Sequence, residues 1–328
     1  MEQLVGLLAD NLASPVVLFF VLGLGAALLR SDLEMPQAVA KALALYLMLA
    51  IGFKGGAEVA GHGPDLRLLA SLLAGLLLSF LIPFVAFAIL QRFSPLQRLD
   101  AAAVSAHYGS ISIVTFVVAT ERLTAEGLSY EGYLVAVAAA MEAPAIVSGL
   151  WLARRGNGPA KGDGNGSDGT LLREVALNGS IVMLVGSFAI GWITGQDGLA
   201  AVEPFVVDPF KGVLCLFLLD MGLIAGRGLR GGQREIGLPL IAFGLCMPLV
   251  SGSLGLLCAL LLGLSAGGSA LLITLAASAS YIAVPAAMRL ALPEARPGIY
   301  LTLSLGVTFP FNLALGIPLY LAIGQWLA

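Results

Sequence analysis

Ala277-Ser278-Ala279-Ser280-Tyr281-Ile282-Ala283-Val284-Pro285 decides how this chain is read, together with Ala106-His107-Tyr108-Gly109-Ser110-Ile111-Ser112-Ile113-Val114. Both are hydroxyl-rich interruptions in otherwise apolar sequence of membrane length. In hydrocarbon every backbone N–H and C=O must find a partner, so a broken helix survives there only where it lines a cavity or holds a ligand. Two breaks at matching places in two halves of one chain mark a solute site near the bilayer midplane.

Working outward, the composition fits that setting. Hydrophobic residues make up 59% of the 328 and charged residues 11%, whereas a soluble protein carries roughly 25% charged residues. The chain therefore reads as a polytopic α-helical membrane protein. Cys215, Cys246 and Cys258 lie in apolar spans without CxxC or CxxH spacing and read as small core residues. Met1-Glu2-Gln3 has no basic n-region, so no cleaved signal peptide is expected.

Pro, Gly and charge clusters divide the apolar sequence into ten candidate spans, near 14–30, 36–57, 66–91, 100–122 (broken), 130–153, 172–194, 208–228, 237–263, 267–291 (broken) and 298–326. Of the 17 basic residues, the loops on one side hold all but Lys54, Arg67, Arg122 and Lys211. The positive-inside rule makes that side, from Arg30 to Arg296, cytoplasmic. Both termini then face out, and the Gly-rich stretch 156–169 is a cytoplasmic linker. Asp163, Asn165, Ser167 and Glu174 mimic part of a calcium loop, but Asp168 stands where its turn needs Gly, so the linker reading prevails.

The linker separates two similar halves, 1–153 and 174–328, with 154–173 between them. Lys41–Gly52 parallels Lys211–Gly222, Gly56 then matches Gly226, and Asp65 matches Glu235, all 170 residues on. Glu142-Ala-Pro144 and Thr308-Phe-Pro310 also correspond. An odd number of spans per half makes the repeats opposite in orientation, an all-α fold of two inverted five-helix units with helices 4 and 9 broken.

A half-helix restarting mid-membrane presents unpaired N–H groups and about half a positive charge, so two facing ones can hold an anion without Arg or Lys. Gly109, Ser110, Ile111 and Ser112 in the first break, with Ser280, Tyr281, Ile282 and Ala283 in the second, are the candidate substrate-binding residues. Ser112, Thr115, Glu142, Ser278 and Ser280 are candidates to ligate sodium, which takes hard oxygen ligands. Ser and Thr at such places also simply bond the i−4 carbonyl or join helices. Glu142 lies mid-span beside Pro144, where an acid costs ~2.5 kcal/mol or more and normally faces the interior with a partner. Its bland alternative is a static ion pair with His107 or Lys54. Asp220 either carries a coupling ion or pairs with Lys211, and His107 is either a titrating group or a satisfied core residue. No convergent catalytic pair or HExxH stands at membrane depth, so an enzyme is not expected.

The order of Asp100-Ala-Ala-Ala103, Gly109-Ser-Ile-Ser-Ile-Val-Thr115, Tyr130-Glu131, Met141-Glu-Ala-Pro144, Ala276–Pro285, Tyr300 and the Pro310/Pro318 pair resembles the sodium-dependent bicarbonate permease family of cyanobacteria and other bacteria. The resemblance implies a gate domain (spans 1, 2, 6, 7), a core domain (spans 3–5, 8–10), a homotrimer in lipid, sodium coupling, and bicarbonate or a similar small anion bound where the broken helices cross. It also implies residence in a bacterial inner membrane and a cytoplasmic PII-like regulator, with no nucleic-acid partner. This chain has Tyr281 where the family's best-known members have Asp, Ser112-Ile-Val-Thr115 where they have Ser-Gly-Ser-Thr, and Val284-Pro285-Ala286 where they have Gly-Pro-Pro. A sodium- or proton-coupled organic-anion symporter is the alternative reading.

Overall fold

The structure is a computed structural model that describes residues 13–62, 66–154, 179–232, 236–281, 284–285, 287–288 and 292–327. Among these there are helices and no strands. In chain order they are α1 (Pro15–Leu28), α2 (Gln37–His62), α3 (Leu66–Phe93), α4 (Arg98–Gly109), α5 (Ile113–Ala125), α6 (Leu134–Ala140) and α7 (Ala143–Arg154). After the linker come α8 (Gly179–Val206), α9 (Phe210–Gly232), α10 (Leu238–Leu262), α11 (Ala266–Ala277) and α12 (Pro297–Leu327).

Among the described residues seven segments are long and apolar enough to cross a membrane, counting α4–α5 and α6–α7 each as one. Three of the ten expected spans fall outside that set. The helices α1 and α11 are apolar but short, at 14 and 12 residues. The third, α8, is bent at Gly195, whose φ of 64° is open to glycine at little cost. The linker and its calcium-loop mimic lie outside the described residues.

Burial follows the lipid pattern rather than the aqueous one. On α3, Leu66, Leu69, Leu73 and Leu77 are exposed while Ser71, Gly75 and Ser79 are buried. On α10, Leu238, Leu245, Leu257 and Leu261 are exposed while Gly244, Ser251, Gly252 and Gly255 are buried. Without a hydrophobic force between helices in lipid, small residues form the contacts and large apolar ones face the chains. In contrast, α4, α5 and α11 are buried along nearly their whole length.

Among the described helices, two pairs make the most extensive contacts. Helix α1 runs along α9, with Gly23 against the Leu219 backbone and Gly222 against the Phe20 carbonyl. Helix α2 runs along α8, with Gly56 against the Phe188 carbonyl and Gly191 against the Phe53 carbonyl. A Cβ at any of the four would collide with backbone. The remaining helices pack around α4–α5 and α11, which places both sequence interruptions in the interior.

Candidate functional site

The first interruption is built by serines. Helix α4 ends at Gly109 because Ser110 turns to extended backbone (φ −95°, ψ 155°). Helix α5 restarts at Ile113 with Ser112 as its N-cap: Ser112 Oγ accepts from Thr115 N at 3.2 Å and from Thr115 Oγ1 at 2.9 Å. The cap takes one amide of the first turn, and among the described hydrogen bonds the amides of Ile113 and Val114 have no acceptor. Gly109 is required by packing, since a Cβ there would enter the Pro83 ring.

The second interruption opens in the same way as the first. Helix α11 stops at Ala277, and Ser278 is extended (φ −87°, ψ 167°). Asn312 Nδ2 donates to the Ala277 carbonyl at 2.8 Å, satisfying one of the orphan acceptors at that helix end. Ser278 Oγ donates to Leu275 O at 2.8 Å and accepts the Ser112 amide at 2.9 Å. The Ser280 amide in turn donates to the His107 carbonyl at 2.7 Å. The two breaks therefore touch and complete each other's backbone hydrogen bonding. Ile282 and Ala283 lie outside the described residues.

A third interruption, which the sequence reading treats as continuous span, falls at Met141–Glu142 between α6 and α7. Ser79 Oγ stabilises it, donating to Met141 O and accepting from Ala145 N at 3.2 Å. Pro144, which cannot donate an N–H, was the signal available in the sequence. In α12 the corresponding region is π-helical over Thr302–Thr308 and Asn312–Gly316, a distortion frequent at functional sites. Thr308 Oγ1 donates to Gly244 O at 2.7 Å, so Tyr108 is the donor in its 2.6 Å hydroxyl contact with Thr308.

Unpartnered buried polar atoms gather at these interruptions. They include Ser110 Oγ, His107 Nε2, Glu142 Oε2 and the Tyr281 hydroxyl, whose neighbour is Ser112. Leaving such an atom unsatisfied costs about 1–3 kcal/mol. Among the described residues Glu142 has no ion pair. Lys54 Nζ instead sits 4.9 Å over the Phe210 ring. His107 Nδ1 donates to Ala103 O at 2.6 Å and its ring stacks on Tyr300. Of the two readings of Asp220, the pair with Lys211 is not found among the described residues, where Lys211 Nζ lies 3.7 Å from Glu121 Oε2.

Of the oxygens expected to meet sodium, those of Ser112, Thr115 and Ser278 form one bonded network. Glu142 follows Met141, whose carbonyl Ser79 Oγ holds, and the Ser79 carbonyl faces Gly109 at the end of α4. Among the described residues no cluster of His, Cys, Asp and Glu suits a transition metal. The chemistry the two breaks bring together is thus that of hydroxyls and backbone amides.

The sequence profile of the family described as the Na+-dependent bicarbonate transporter superfamily matches residues 15–325. No curated protein matches the chain in a direct sequence comparison.

Proposed function

The chain belongs to the Na+-dependent bicarbonate transporter superfamily, and from that membership we propose that it is a secondary transporter carrying bicarbonate, or a similarly small anion, together with sodium by alternating access. The observation that carries this reading is the bonded crossing of the two breaks, Ser280 N to His107 O and Ser112 N to Ser278 Oγ. The anion sits before the free amides of Ile113 and Val114, where the α5 dipole supplies positive potential. Sodium sits among the Ser112, Thr115, Ser278 and Ser280 oxygens with Glu142 as the balancing carboxylate.

An inverted repeat of two five-span halves is part of the proposal. Its support is the paired geometry of the glycine contacts, α1 on α9 and α2 on α8. A second pairing supports it: Asp100, at the start of α4, binds Arg296 before α12, while Glu131, before α6, binds Ser265 before α11. Each carboxylate thus ties the outer end of a broken helix to the other half. In this reading α1, α2, α8 and α9 form the gate and the remaining helices the core, which carries the site past it. Arg227 on Leu33 O, Arg230 on Ala27 O, Arg98 on Leu152 O and Arg296 on Asp100 hold together the end proposed to be cytoplasmic.

Proton coupling is the second reading, favoured by a buried Glu142 oxygen with no partner. Uptake of labelled bicarbonate into proteoliposomes, driven separately by sodium and proton gradients, tests both. Uptake that follows the sodium gradient is expected, and sodium-independent or absent uptake overturns the symport.

A further inference from the structure

We propose that Tyr281 sets which anions the crossing accepts: its ring occupies the volume a larger substituent would need, limiting the cargo to single-carbon oxyanions, and its hydroxyl donates to the bound anion. The inference rests on the anion-transport reading above and adds to it the size limit and the residue that imposes it.

The ring is held in place. Tyr281 follows Ser280 within the second break and is only 8% exposed. Its ring meets Phe309 edge-on, with centroids 5.3 Å apart, and Phe309 meets Phe20 of α1 in the same manner at 5.2 Å. Phe20 is buried, and its backbone carbonyl lies against Gly222 in the close α1–α9 contact. The three rings form a continuous apolar wall from the break to α1, and moving Tyr281 toward α1 means displacing close-packed helices. A substituent on the anion directed that way meets this wall.

The hydroxyl points to what the wall encloses. It is buried, it lacks a hydrogen-bond partner, and it lies beside Ser112. Buried tyrosine hydroxyls normally find a partner. Ser112 Oγ already accepts from the amide and the hydroxyl of Thr115, which uses both its lone pairs. What the Tyr281 O–H needs is another acceptor. The amides of Ile113 and Val114, one and two residues past Ser112, are also donors in need of one. Donors from one helix start and one phenol, with no side-chain cation among them, match the oxygens of a small monoanion.

The test compares wild type with Tyr281→Phe and Tyr281→Ala, using sodium bicarbonate and sodium benzoate as probes. Benzoate carries a carboxylate with a ring of the size that Tyr281→Ala removes. Thermal unfolding of the purified protein should show wild type stabilised by bicarbonate and not by benzoate, and Tyr281→Ala stabilised by benzoate. In proteoliposomes benzoate should inhibit bicarbonate uptake by Tyr281→Ala at concentrations about tenfold below those affecting wild type, and Tyr281→Phe should raise the bicarbonate KM about tenfold while still excluding benzoate. If Tyr281→Ala does not purify, Tyr281→Leu with butyrate is scored on the same readouts. Benzoate acting on wild type and Tyr281→Ala alike, or an unchanged KM in Tyr281→Phe, overturns the inference. Absence of sodium-driven uptake by wild type overturns the transport reading instead, and the unfolding comparison still decides the role of Tyr281.

Discussion

The Ser280 amide donates to the carbonyl of His107 across 2.7 Å, although 173 residues separate them in the chain. A carbonyl near the end of α4 that has lost its helical partner is satisfied by an amide that has left α11. Each break is therefore stable only in the presence of the other, which makes the crossing a single structural unit.

Ser278→Ala tests that unit. It removes the acceptor of the Ser112 amide and should destabilise the protein by about 1–3 kcal/mol, the cost of one orphaned buried donor. Ser278→Thr keeps the hydroxyl and should recover most of the loss. Thermal unfolding in detergent measures both, and equal midpoints for Ala and wild type would show that the cross-bond contributes nothing.

Glu142→Ala should weaken the sodium dependence of uptake. A charge-assisted contact is worth about 1.5–3 kcal/mol, which corresponds to a rise of roughly tenfold or more in the sodium concentration for half-maximal transport. Glu142→Gln preserves volume and separates charge from packing. Wild-type coupling in both variants would reduce Glu142 to a packing role.

Arg296 donates to both Asp100 oxygens through its amide and guanidinium, and Asp100 is buried while Arg296 is half-exposed. Arg296→Ala leaves that carboxylate buried without its cation and should cost about 3–5 kcal/mol. Arg296→Lys keeps a point charge but not the fork and should cost less. Chemical denaturation or melting ranks the two; equal effects would mean that the guanidinium geometry is irrelevant.

Gly191→Ala and Gly222→Ala drive a methyl group into backbone of the facing helix and should destabilise by about 1–3 kcal/mol. Gly25→Ala, on α1, meets nothing within 4 Å. Being a helix-interior glycine, it should be neutral or stabilising by up to about 1 kcal/mol. A common response of all three in melting experiments would argue against the close α1–α9 and α2–α8 contacts.

The amino-acid sequence by itself determined the membrane setting, the order of the apolar segments and the position of both serine-rich breaks. Each of these is a local property: runs of Leu, Val and Ala cannot be solvated, and Ser110–Ser112 and Ser278–Ser280 offer the backbone hydroxyl partners that compete with the helix. It also marked Glu142, because an acid beside a proline in an apolar run stands out without any coordinates. Only the tertiary structure decided that the two breaks meet, that Ser79 props open a third at Met141, and that Asn312 terminates α11. It alone refused Glu142 a static partner and gave Lys211 to Glu121. Those outcomes depend on residues 35 to 173 positions apart being brought within hydrogen-bond or ion-pair reach. Helix packing sets such distances, and no periodicity along the chain records them.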